Sequence, residues 1–216
     1  MSATTRPSRV EAAPGWTCQK PRAATTYSPS QSPSRASSPT RPPDGSDPGA
    51  ASTFLSRVVA LLGAGPGDLV ADLYAGSGLF TMRLAELVAP GGSVLGVEGD
   101  ARAVENGIRN TEHLEGAEWR VNRVDRELRS LVGQGVRADL VVLDPPRTGA
   151  GKDVVRLVSE LRPRRVVYVA CDPAALARDV RAAGEQGYSM VSLEAWDAFP
   201  MTHHVECIAV LEPTRP

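Results

Sequence analysis

From Ala51 onward the chain alternates short apolar runs with stretches of helical period, and that alternation constrains its fold more than any other feature. The first five runs are Leu69–Tyr74, Ser93–Val97, Glu118–Val121, Leu140–Leu143 and Val166–Ala170, each of strand length and each separated from the next by a helical pattern. Strands that alternate with helices build a parallel sheet covered on both faces, joined by right-handed crossovers. Two further runs, Met190–Leu193 and Val205–Leu211, leave no room for a helix between them, so a terminal antiparallel hairpin is expected. An α/β domain of seven strands with one antiparallel strand follows. Ahead of the first strand, Ser52-Thr53 can cap a helix running through Leu62. Its apolar positions Phe54, Leu55, Val58, Val59 and Leu62 recur at helical spacing, and Gly63 ends it.

The first 50 residues read differently. They are rich in Pro, Ser, Thr, Arg and Ala, lack periodicity and cannot bury enough apolar surface to offset ordering entropy. A disordered tail over 1–47 and one folded domain over 48–216 are therefore expected. The tail carries a formal charge of +3 and the remaining residues −4. Any contact of the folded part with a polyanion must be local. Three cysteines without paired spacing point away from a disulfide framework or a zinc site and toward a reducing cytosol. No apolar run approaches membrane-spanning length, so no membrane partner is expected. Trp16 and Cys18 stand isolated in the tail, and no role is assigned to them.

Three stretches carry the candidate chemistry. The run Val166-Val167-Tyr168-Val169-Ala170 leads into Cys171, and Asp172-Pro173 then breaks the strand and opens a helix over Ala174–Asp179. Cys171 thus falls on a strand-to-helix turn, at the sheet edge where ligands bind in open parallel sheets. A helix N-terminus there favours negative charge on sulfur. A buried structural cysteine is the equally weighted alternative. The first strand ends in Asp72-Leu73-Tyr74-Ala75-Gly76-Ser77-Gly78-Leu79-Phe80 and enters a helix over Thr81–Leu87. Gly76 and Gly78 let backbone approach a ligand at a helix N-terminus. About 20 residues on, Glu98 closes the second strand where a carboxylate can accept both hydroxyls of a ribose. Together they suggest an adenosyl ligand. A solvent-facing Glu98 is the competing reading.

The segments DLYAGSGLF, VEGD, LDPPRTGAG, VVYVACDPAALARD and DAFPMTHHVECIAVLE, in that order, resemble the methyltransferase domain of the bacterial RNA uracil-5 methyltransferase family. The resemblance runs from about Pro48 to the C-terminus. It implies a Rossmann-like class I methyltransferase sheet, S-adenosyl-L-methionine as methyl donor, and a uridine in tRNA or rRNA as acceptor. It further implies that Tyr74 and Glu98 contact the cofactor, that Asp144 lies where cofactor and target base meet, that Cys171 is the nucleophile and that Glu206 accepts a proton. Elementary chemistry agrees, because carbon 5 of uracil needs prior addition of a thiolate at carbon 6 before it can accept a methyl group. Release then requires a base for the carbon 5 proton. A surface carboxylate on an edge strand is the other reading of Glu206. Cys207, on the opposite strand face from Glu206, is expected in the core. His203 and His204 could orient Glu206 or contact RNA, without a metal role. Arg147 reads equally as a phosphate ligand or as the partner of an acidic neighbour.

The sequence also departs from the family. Family members carry an N-terminal RNA-binding barrel and an intervening domain, which residues 1–50 cannot form, and a Phe-x-Gln segment whose Gln reaches the cofactor. Here Asp44-Gly45-Ser46-Asp47-Pro48 stands in its place. A partner that supplies RNA binding is one expectation, and a non-catalytic remnant or RNA-binding module is another. A methyltransferase acting on a different nucleophile is the third.

Overall fold

A computed structural model describes residues 48–196 and 206–214. The tail, Trp16, Cys18, His203 and His204 lie outside the described residues. Seven strands form one sheet: β1 Leu69–Leu73, β2 Ser93–Glu98, β3 Ala117–Val121, β4 Leu140–Leu143, β5 Arg165–Ala170, β6 Tyr188–Trp196 and β7 Glu206–Pro213. Six helices join them: α1 Pro48–Leu62, α2 Leu79–Val88, α3 Ala101–Thr111, α4 Val124–Gly133, α5 Lys152–Glu160 and α6 Pro173–Glu185. The spatial order is β3-β2-β1-β4-β5-β7-β6, with β7 antiparallel to both neighbours and every other pair parallel. Six strands therefore run one way and β7 alone runs back.

The expected α/β architecture and its single antiparallel strand are both present. Central strands are buried on both faces, which is why, Asp72 of β1 apart, they read as near-continuous apolar runs. One face carries Leu73, Val97, Leu143, Tyr168 and Leu211 under α4, α5 and α6. The other carries Val70, Val94, Val142, Val169 and Ile208 under Val58, Val59 and Leu62 of α1 and Phe80, Leu84 and Val88 of α2. Cys207 belongs to the first face and is buried, as its strand position predicts.

Three elements differ from expectation by more than two residues. Helix α1 starts at Pro48, not after a Ser52-Thr53 cap, and both of those residues sit exposed inside it. Proline suits a first helical turn, so Pro48 serves as the start signal. Helix α6 continues to Glu185 because Val180, Ala182 and Ala183 prolong the apolar stripe. Strand β6 is more than twice the expected span Met190–Leu193, since pairing with β7 from Tyr188↔Pro213 to Trp196↔Glu206 recruits Ser189 and Glu194, which an apolar count passes over, and the residues beyond them. A register shift between Met190 and Ser192 marks a bulge in this edge strand.

Candidate active site

The carboxyl ends of β1, β2, β4 and β5 lie along one edge, where the chain places Tyr74, Glu98, Asp144 and Cys171 respectively. At β1 the chain turns through Tyr74 at φ 64, Gly76 at φ 54 and Gly78 at φ 92 before α2 begins. A β-carbon added to Gly76 would meet nothing within 4 Å, so this part of the turn faces open space. Gly78 faces protein instead. A β-carbon there would lie 2.8 Å from the indole of Trp119, whose ring also fills the space beside Gly107. Trp119 is buried and donates from Nε1 to Thr111 Oγ1 at 3.0 Å, so a wedge on β3 supports the underside of the turn.

Glu98 reaches from β2 onto this turn. Its Oε2 accepts from the backbone N–H of Gly76 at 3.1 Å and its Oε1 from that of Asp100 at 2.9 Å. An ionised carboxylate has about four acceptor positions, so two remain for a ligand's hydroxyls. Glu98, Gly99, Tyr74, Val124, Ala150 and Gly151 line a cleft of about 650 Å³. Arg123, Asp125, Arg129, Lys152 and Asp153 form its rim. Asp125 accepts from Arg123 at 3.0 Å and from Arg129 at 2.8 Å, and these two cations hold its pKa down at about 2. The rim is thus charge-paired. Burial lifts the Tyr74 hydroxyl to about 12, with the Asp125 and Asp179 charges adding to the effect.

The second group lies one strand further along. Cys171 occupies the turn between β5 and α6, half-buried, and Asp172 caps α6 by accepting from the N–H of Ala175 at 2.7 Å. The β5–β7 ladder pairs Ala170 with Cys207, so the next step of the register sets Cys171 across from Glu206. Asp144 follows β4 and donates its N–H to Leu73 O at 3.2 Å. Its carboxyl remains open to water, yet the surrounding protein and then the Glu206 charge push it up to about 6. The Cys207 thiol is raised by burial and secondarily by Glu206. Arg147 is exposed on the loop beyond Asp144.

Sequence reasoning overlooked three neighbours. Asp72 is fully buried, accepts from Thr81 Oγ1 at 2.5 Å and leaves its other oxygen without a partner. Burial, then the charges of Asp144 and Glu98, lift it to about 7 despite the Thr81 bond. A charged residue between Ala71 and Leu73 in a buried strand was the available signal. Tyr168 and Asp179 meet over the loop after Asp144, with the Tyr168 hydroxyl donating to Asp179 Oδ2 at 2.6 Å. Burial and this bond raise the Tyr168 pKa. A phenol inside an apolar run hinted at it, but its partner 11 residues on could not be inferred from spacing.

Residues 48–214 match the profile of the family described as tRNA (Uracil-5-)-methyltransferase. The chain belongs to this family. An RNA methyltransferase of uncharacterized function from Streptomyces avermitilis is 46% identical over 167 residues, which are 77% of this chain and 38% of that protein. The 23S rRNA (uracil(1939)-C(5))-methyltransferase RlmD of Xanthomonas axonopodis pv. citri is 43% identical over 164 residues, 74% of this chain and 36% of its own length. Among solved structures, the Pyrococcus abyssi tRNA (uracil-54, C5)-methyltransferase in complex with S-adenosyl-L-homocysteine is 31% identical at a TM-score of 0.61, covering 74% of this chain and 38% of that one. The chain thus spans under two-fifths of the length of these relatives. A Thermotoga maritima SAM-dependent O-methyltransferase, 18% identical at a TM-score of 0.60, shares the class I methyltransferase fold. Among the described residues there is no metal-binding cluster and no helix long and apolar enough to cross a membrane.

Proposed function

We propose that this chain methylates carbon 5 of a uridine in tRNA or rRNA, with S-adenosyl-L-methionine held in the Tyr74–Glu98 cleft and Cys171 as nucleophile. The observation that carries the reading is the pairing of Ala170 with Cys207, whose next step sets Cys171 across from Glu206 on the strand-end edge that Asp144 shares. The cleft suits an adenosyl ligand: Glu98 has two acceptor positions left, Gly76 opens onto free space, and Tyr74 offers a half-buried ring. When bound, the cofactor supplies an electrophilic methyl group.

The protein's own residues do the rest. The Cys171 thiolate adds to carbon 6 of the uracil ring, and the electron pair of the 5,6 double bond moves to carbon 5 and into the adjacent carbonyl as an enolate. Once carbon 5 carries the methyl group it also retains its hydrogen. Glu206 removes that proton, the double bond reforms and the carbon–sulfur bond breaks, which returns the thiolate. A target base must leave its stack to reach these groups. Asp144, beside Glu206, stands where the base and the methyl donor would meet.

The test uses RNA containing 5-fluorouridine. Fluorine at carbon 5 cannot leave as a proton, so the wild-type protein should form an RNA adduct stable on a denaturing gel and located at Cys171 by mass spectrometry. Glu206→Gln should accumulate the same kind of adduct with ordinary RNA, and Cys171→Ala should form none. An adduct mapped to Cys207 or Cys18, or labelled 5-methyluridine produced by Cys171→Ala, would refute the mechanism. Absence of any adduct with cofactor bound would support a non-catalytic, RNA-binding role.

A further inference from the structure

The cleft has a support that none of the chemistry above requires. Asp179 lies two turns into α6 and is buried. Its Oδ2 accepts three hydrogen bonds, from the Tyr168 hydroxyl at 2.6 Å, from Ala150 N–H at 2.7 Å and from Gly151 N–H at 3.2 Å. The Tyr168 hydroxyl in turn accepts from Ala150 N–H at 2.9 Å. A β-carbon added at Gly149 would stand 2.7 Å from the same Asp179 oxygen, so the backbone presses directly on the carboxylate. Gly149 and Gly151 both take φ 83, a conformation that L side chains rarely adopt. Two backbone donors and one phenol converge on one oxygen, with Gly149 packed against it.

We propose that Asp179, held by Tyr168, is a positioning residue for the cofactor cleft. It fixes the turn 149–151 so that Ala150 and Gly151 form the cleft wall they share with Tyr74 and Glu98. The inference rests on the reading that this cleft takes an S-adenosyl cofactor. Anchoring α6 is not the purpose of the contact, because Leu176, Ala182 and Ala183 already pack that helix into the core. What the carboxylate alone supplies is an acceptor for a loop whose N–H groups point inward. Charge-assisted bonds of this kind are about twice as strong as neutral ones. Losing them lets the turn sample other conformations, and a ligand that needs one of these binds more weakly in proportion to the lost population.

The experiment compares wild type, Tyr168→Phe, Asp179→Asn and Asp179→Ala in the full chain. Affinity for S-adenosyl-L-homocysteine is read by calorimetry, amide exchange at Ala150 and Gly151 by NMR, and alkylation of Cys171 by mass spectrometry. Tyr168→Phe keeps the ring volume, and Asp179→Asn keeps one neutral acceptor. The dissociation constant should rise roughly threefold for these two and on the order of tenfold for Asp179→Ala. Exchange at Ala150 and Gly151 should quicken in the same order, while Cys171 alkylates at the wild-type rate because α6 stays in place. In turnover the KM for the methyl donor should rise with little change in kcat. Unchanged affinity in folded Tyr168→Phe and Asp179→Asn, or exchange unchanged at both amides, would overturn the inference alone. If wild type itself fails to bind the ligand, the reading of the cleft falls, and this inference falls with it.

Discussion

Replacing Asp72 by Asn tests how the sheet edge handles a carboxyl buried among its strands. Asp72 has no exposure, one oxygen takes the Thr81 hydroxyl and the other has no partner, and its pKa is lifted from 3.8 to about 7, chiefly by burial. Between those values the native state holds the proton more tightly than the unfolded chain. Asp72 is therefore harmless below about pH 4, where both states are protonated, and becomes increasingly destabilising up to about pH 7. A tenfold difference in proton affinity is worth about 1.36 kcal/mol, so the full effect is about 4 kcal/mol. Asn cannot ionise, can still accept from Thr81, and replaces an unpartnered acceptor with an unpartnered donor. The stability of Asp72→Asn minus that of wild type, from urea unfolding, should thus rise by about 4 kcal/mol between about pH 4 and 8. Asp144 is also raised, to about 6, but it is present in both proteins and its contribution largely cancels in the difference. A flat difference across this range would refute the reasoning. A difference falling with pH would mean that Asp72 is a stabilised anion.

Glu98→Ala should weaken S-adenosyl-L-homocysteine binding by about 1.5–3 kcal/mol, since it removes a charged acceptor and frees the Gly76 N–H; equal affinities by calorimetry would reject the ribose assignment. Gly78→Ala places a β-carbon 2.8 Å from Trp119 at φ 92 and should cost about 1–3 kcal/mol, measured as a lowered melting temperature. Part of that loss should be recovered by Trp119→Leu in the double variant, and strict additivity would deny the contact. In the native protein iodoacetamide should label Cys171 at least about tenfold faster than Cys207, because burial shields the second thiol and raises its pKa; comparable rates by peptide mapping would contradict this placement.

The sheet was legible because two-sided burial writes itself into β4, β5 and, Asp72 apart, β1 as apolar runs, and because capping chemistry at Asp172-Pro173 is local. The half-exposed β6 was legible only at its apolar centre, since its ends owe their conformation to β7 and not to their own residues. The same limit applies at the site. Gly76 and Glu98 sit 22 residues apart in sequence, and the conventional spacing of a glycine turn and a strand-end acid brings them together. Trp119 beneath Gly78, and Asp179 on the 149–151 turn, depend on helix-to-strand packing that no local pattern encodes. Asp72 was visible as a charge in a buried strand, but only the structure shows that Asp144 and Glu98 act on it.

Those three carboxyls and Glu206 pose an electrostatic problem that bears on the chemistry. Asp144 and Glu98 raise the cost of ionising Asp72, and Glu206 raises that of Asp144. Four full charges at one edge would repel, and burial counters this by favouring the protonated form of Asp72, while Asp144 lies open to water. A cation placed among them lowers that repulsion and favours the ionised forms. The methyl donor proposed for this site carries a sulfonium charge, whereas the thioether left after transfer does not. In that proposal, negative charge at this edge would hold the donor better than the spent product, a difference in binding that would favour exchange of one for the other. The same negative field would oppose formation of an enolate unless the sulfonium is present to balance it. In the proposed mechanism, addition of Cys171 to a uracil ring would thus be easiest with the donor already bound, which would tie the order of the chemistry to the charges on the strand ends.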